Sequence, residues 1–120
     1  MTGRQLYNYL LTSAYDNYEM YIVGFRDESF VVDAIDFSNG NTVELKCSKV
    51  EPGPQRIHPV KAEYIFKHLH DVLDKGLIDN EVRVAKQTSS WRPDRRELVS
   101  VSEVPCYKGK ALCLNTRPMR

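Results

Sequence analysis

The residues best equipped for chemistry stand together late in the chain, in the run Lys86-Gln87-Thr88-Ser89-Ser90-Trp91-Arg92-Pro93-Asp94-Arg95-Arg96. Trp91 is the only tryptophan, and Lys86, Arg92, Arg95 and Arg96 surround it with positive charge. Tryptophan and arginine are the residue types that most often anchor interfaces. A nucleic-acid base can stack on Trp91 while the guanidinium groups hold phosphates. An acidic groove on a protein suits the same loop. The competing arrangement folds Trp91 over the core and leaves the arginines solvated. A second cluster opens the chain, where Tyr7, Tyr9, Tyr15, Tyr18 and Tyr21 crowd together. Tyr21 and Phe25 are expected on the outward side of a strand, as a protein-binding or self-association surface. Packing inside the molecule would hide the same side chains. The expected binding set is Lys86, Trp91, Arg92, Arg95, Arg96, Tyr21 and Phe25.

Other reactive residue types form no such set. His68 and His70 stand two apart on a helix and point to different sides, and His58 lies in a linker. Zinc needs three or four converging ligands, and no spacing here provides them. Cys47, Cys106 and Cys113 are odd in number and lack a CxxC spacing, which fits free thiols in a reducing cytosol. Cys47 and Cys113 fall at strand positions where a small apolar side chain serves. Each glycine is explicable as a turn, cap or linker, and none builds a phosphate-cradling loop. No catalytic nucleophile, metal or cofactor is therefore expected.

The elements that carry these residues follow from periodicity. Thr2-Gly3-Arg4-Gln5 has the form of a capping box, and Leu6 and Leu10 stack on one face of a helix to about Ala14. Glu19–Phe25 and Phe30–Phe37 read as strands, and Ser38-Asn39-Gly40-Asn41 as a hairpin turn, because Asn-Gly tolerates positive φ. Thr42–Cys47 returns as the third strand. Glu51-Pro52-Gly53-Pro54 is a linker. Pro59 suits the first position of a helix whose apolar stripe is Ile65, Leu69, Val72 and Leu73, and Gly76 closes it. Strands are then expected at 79–84, 98–104 and 109–114.

With Asn39-Gly40 as a two-residue turn, Cys47 faces Val32, Leu45 faces Ala34 and Val43 faces Asp36. Val32, Ala34, Val43, Leu45 and Cys47 then share the core side, and Asp33, Ile35, Glu44 and Lys46 the other. Asp33 stands opposite Lys46, as a cross-strand ion pair on a solvated face. The Asp33, Glu44, Lys46 constellation also resembles the PD-(D/E)xK nucleases. That resemblance implies two carboxylates holding a divalent metal and a lysine acting on water or phosphate charge. No proline precedes Asp33, however, and Ile35 separates the carboxylates.

The chain has 120 residues, 42% hydrophobic and 28% charged, the size and composition of one globular domain. Its apolar runs are too short to span a bilayer, and a signal-peptide plan is not evident. Residues 1–60 carry five Lys/Arg and eight Asp/Glu, and residues 61–120 carry twelve and eight. An acidic first half thus precedes a basic second half, which can dock on one another or face different partners. The elements recur: 1–50 forms a first αβββ unit, 51–60 a linker, 61–115 a second unit and 116–120 a frayed tail. The alignment matches Met20/Ile22 with Val82/Val84, Val32/Ala34 with Val99/Val101, and Val43/Leu45 with Leu112/Leu114. The expected fold is α+β, two three-stranded antiparallel meanders, each with one helix, packed as a pseudo-repeat.

The helix beginning at Thr2, the strand after Asp16 and the Asn39-Gly40 hairpin, over Thr2 to about Leu45, resemble small proteins encoded by bacteriophages and prophages. A fainter likeness covers Ala62 to Leu114. The resemblance implies a bacterial host cytoplasm and a chain that binds rather than turns over. The favoured reading is a non-enzymatic binding protein that inhibits or modulates a host or defence protein. A small nucleic-acid-binding module and a metal-dependent nuclease are the alternatives; a homodimer is open, and no membrane partner is expected.

Overall fold

Thr2 and Gln5 close the expected capping box. The Gln5 amide donates to Thr2 Oγ1 at 3.2 Å, and the Thr2 amide donates to Gln5 Oε1 at 2.8 Å. Helix α1 (Gly3–Ser13) follows, and Leu6 and Leu10, one turn apart, are buried. A computed structural model of the chain describes residues 1–13, 21–23, 30–37, 41–49, 62–87, 92–106 and 109–119. After α1 come strands β1 (Tyr21–Val23), β2 (Phe30–Asp36) and β3 (Thr42–Lys49), then helix α2 (Ala62–Asp71). Two 3-10 turns, Leu73–Lys75 and Leu77–Asp79, flank Gly76, whose φ of 72° is the left-handed conformation that favours glycine. Strands β4 (Glu81–Lys86), β5 (Asp94–Cys106) and β6 (Gly109–Pro118) complete the chain.

The chain is α+β, with two helices and a mostly antiparallel sheet. The strands close into a barrel in the order β1-β2-β3-β4-β5-β6. Within β1–β3 and within β4–β6 neighbours run antiparallel, and the two joints between these sets, β3 with β4 and β6 with β1, are parallel. A three-stranded meander alone leaves two rows of unpaired backbone groups, and closure satisfies both. The helices share one core with the strands: Leu6, Leu10, Ile65 and Leu69 pack with Val32, Val43, Leu45, Val82, Val84, Leu98, Leu112 and Leu114. Each fully buried leucine or valine contributes about 1.5–3 kcal/mol relative to exposure. Among the described residues no helix is long and apolar enough to cross a membrane.

Two registers depart from expectation for one reason. Cys47 does face Val32, but the β2–β3 register then shifts, so that Ala34 meets Lys46, Ile35 meets Leu45 and Asp36 meets Glu44. Asp33 is left without a register partner, a β-bulge. Ile35 therefore packs against the core, and Ala34 does not face Leu45. The same irregularity falls between Leu98 and Ser100 in β5. It turns Val99, expected inside, outward to 46% exposure, while Leu98 takes the buried place and Val101 packs against the core. The end of the chain is also better ordered than a frayed tail. β6 continues through Thr116, Arg117 and Pro118, paired with Leu98, Glu97 and Arg96. The Asn39-Gly40 turn, Met20, Pro59 and the 51–60 linker lie outside the described residues.

Candidate functional site

Side chains alternate sides along a strand, and register partners share a side. That rule splits the expected basic loop. Lys86 is not in a loop at all but ends β4, in register with Cys47 on β3 and Asp94 on β5, and it is only 9% exposed. Asp94, Arg95 and Arg96 already belong to β5. Strand pairing thus reaches further than the sequence suggests, as far as Lys86 with Asp94. Arg96 is in register with buried Val84, on the core side near the end of the barrel, where its Nε lies 3.4 Å from Asp94 Oδ2. Arg95 takes the opposite, outer side, and Arg92 is exposed ahead of β5. Trp91 and Phe25 lie outside the described residues, and Tyr21 is described only as backbone in β1.

On the outer side, arginines and glutamates alternate across four strands. Glu44 of β3 is in register with Arg83 of β4, and Arg83 with Glu97 of β5, which in turn faces Arg117 of β6. Arg95 Nε donates to Glu44 Oε1 at 3.1 Å across β4, over Ala85, whose methyl group leaves room for the crossing. The Glu44 side chain is 7% exposed and that of Arg95 48%, so the carboxylate is the desolvated partner. Arg117 Nε donates to Glu97 Oε2 at 2.8 Å. This hydrogen bond, reinforced by the charges of Arg117, Arg83 and the amino terminus, holds the Glu97 carboxyl below its ordinary range. Arg83 thus stands between two glutamates that are both engaged by other arginines. It forms no ion pair or hydrogen bond among the described residues. Beside it opens a cleft of about 410 Å³ lined by Arg83, Glu97, Arg117, Pro118 and Met119.

The Asp33, Glu44, Lys46 constellation is drawn apart by the bulge. Ser48 Oγ donates to Asp33 Oδ2, Lys46 Nζ lies 3.3 Å from Asp36 Oδ2 rather than opposite Asp33, and Glu44 holds Arg95. Among the described residues no three His, Cys, Asp or Glu side chains converge as a metal site. Cys47 and Cys113 are buried. Burial first, and the nearby Asp33 carboxylate second, push the Cys47 thiol up to about 12 against the opposing pull of Lys86. It stays protonated at neutral pH and is a poor nucleophile.

A second surface lies where the helices meet. Tyr7 stacks on Phe66 at 4.9 Å between ring centroids and 9° between planes, and its hydroxyl hydrogen-bonds His70 Nδ1 at 3.0 Å. Tyr64 and His68 meet edge to face at 4.4 Å. Sequence reasoning missed Arg83, Arg117 and Glu97 as partners. The alternation Glu81-Val82-Arg83-Val84 marks Arg83 as outward, but nothing local says which strands flank it. No family model, curated protein or solved structure matches this chain.

Proposed function

We propose that this chain is a non-enzymatic binding protein that modulates a bacterial host or defence protein, engaging an acidic surface through the outer side of β4, β5 and β6, together with Trp91 between β4 and β5 in the sequence. The observation that carries this reading is the row of Arg83, Arg95 and Arg117 set among Glu44 and Glu97 on adjacent strands, with Arg95 bonded to Glu44 and Arg117 to Glu97. The guanidinium groups of Arg95 and Arg117, held by ion pairs, have already lost side-chain freedom, which lowers the cost of binding. Three arginines against two glutamates leave surplus positive charge there. The bacterial setting rests on the short resemblance to phage-encoded proteins over Thr2 to Leu45.

The test is capture from nuclease-treated bacterial lysate on immobilised wild type and on the Trp91→Ala/Arg92→Glu double variant, each checked to melt at the same temperature. Proteins held by wild type should be lost from the variant. Identical retention removes this surface from the reading. Retention seen only in untreated lysate, and falling steeply from about 50 to 200 mM salt, points to a nucleic acid instead.

The barrel itself reads best as two copies of one αβββ unit, and four correspondences support that. The register irregularities at Asp33 and Val99 fall at matching places in β2 and β5. The two parallel joints match, Thr42 with Glu81 and Ala111 with Tyr21. Buried Gly3, Leu6 and Leu10 of α1 have the spacing of Ala62, Ile65 and Leu69 of α2. Lys46 with Asp36 is answered by Asn115, whose Nδ2 donates to Ser102 Oγ at 3.2 Å. These registers match Val32 with Leu98 and Ile22 with Val82, a shift from the alignment read off the sequence.

A further inference from the structure

Within that reading, and resting on it, we propose that the cleft beside Arg83 is the point where the partner inserts a carboxylate side chain of an acidic protein segment. Three observations converge on it. Arg83 is the one arginine of the outer set that makes no ion pair or hydrogen bond among the described residues, and it lines the cleft. A guanidinium presents parallel N–H donors that match the two oxygens of a carboxylate. Both neighbouring glutamates hydrogen-bond other arginines, Glu44 to Arg95 at 3.1 Å and Glu97 to Arg117 at 2.8 Å, so Glu97 acts on Arg83 through charge alone and leaves its N–H donors to an incoming carboxylate. The remaining wall is Pro118 and Met119, the latter 43% exposed, which suits the methylene stem of a glutamate.

The same wall argues against a nucleic-acid strand. A phosphodiester chain brings one charge per nucleotide and is followed by grooves of continuous positive charge. Here Glu97 lines the cleft and Glu81 lies two residues before Arg83 on β4, so the positive charge is a point rather than a track.

The experiment measures fluorescence anisotropy of fluorescein-labelled deca-glutamate, and separately of labelled deca-deoxythymidylate, against the full chain at about 50 mM salt, where screening is modest. Wild type should bind deca-glutamate, Arg83→Gln should weaken it about tenfold or more, and Arg83→Lys should recover only part, since a point charge lacks the fork. Lys75→Gln, on the 3-10 turn after α2, should leave it unchanged. Absence of deca-glutamate binding, equal binding by Arg83→Gln, or tighter binding of the deoxythymidylate each overturns the proposal. Equal binding by Arg83→Gln, with lysate capture still lost in the Trp91→Ala/Arg92→Glu variant, refutes the Arg83 assignment alone. Identical lysate retention by that variant counts against the wider reading.

Discussion

Glu44 is nearly out of water, and Arg95 reaches over Ala85 to meet it while keeping half its own surface exposed. Removing Arg95 leaves a desolvated carboxylate without its counter-charge. For a fully buried pair such a loss costs about 3–5 kcal/mol; with one partner half in water, about 2 kcal/mol is the expected scale. Arg95→Ala should therefore lower stability in urea titration by that amount, and adding Glu44→Gln should restore much of it. A double variant no more stable than Arg95→Ala would show that Glu44 does not depend on the pair. Cys47 offers a pH-dependent counterpart. Its folded pKa of about 12 lies above the ordinary 9.0, so the folded chain keeps a proton that the unfolded chain releases. Stability from this group is complete below about pH 9 and is lost as pH rises toward 12. The stability difference between wild type and Cys47→Ala should be constant up to about pH 8.5 and should shift against wild type above it. A difference independent of pH would place the thiol in a polar setting. The buried place of Cys47 was legible in the sequence, and the pairing of Glu44 with Arg95 was not. Glu44 looked like half of a metal site because a bulge at Asp33 leaves no mark in residue type, yet it decides which neighbours meet.

At the scale of elements, the sequence was most readable where a side chain reports its own environment. The capping box at Thr2 and Gln5 and the Leu6/Leu10 and Ile65/Leu69 stripes describe local geometry and stand where expected, whereas α2 ends at Asp71 and left-handed Gly76 closes the 3-10 turn that follows it. Strand ends were less readable. Lys86 and Asp94 look like loop residues, but strand pairing extends to them because backbone groups continue the ladder whatever side chains they carry. The docking of α1 depends on one close approach the sequence only hinted at. A Cβ on Gly3 would lie 2.7 Å from the carbonyl oxygen of Ile78, a backbone atom that cannot swing aside, and 3.3 Å from a methyl of Val43. The Gly3 amide also donates to the Asn80 carbonyl at 2.9 Å, pinning the helix start to the entrance of β4. Gly3→Ala should cost about 1–3 kcal/mol through overpacking, despite alanine's better helix propensity. Thermal denaturation followed by circular dichroism checks this, and an unchanged or raised midpoint would mean that α1 can shift freely on the barrel.

For the whole molecule, strand pairing is what turns scattered basic residues into a surface. The outer arginines come from 83, 95 and 117, positions whose neighbourhood exists because β4 pairs with β5 and β5 with β6, and the β3–β4 pairing adds Glu44 to it. A reading of local loops put the binding set at Lys86 to Arg96, and the sheet then turned Lys86 and Arg96 to the core side and Arg95 to the outer side. Among the described residues, the paired helices offer a competing surface, with Tyr7, Phe66, His70, Tyr64 and exposed Leu11. The two surfaces are separated most directly by amide chemical-shift mapping of the ¹⁵N-labelled chain titrated with deca-glutamate. Shifts should concentrate at Arg83, Ala85, Arg95, Glu97 and Arg117 and their strand neighbours, and α1 and α2 should stay silent. Shifts centred on Tyr7, Phe66 and His70, with β4 to β6 unchanged, would contradict the account.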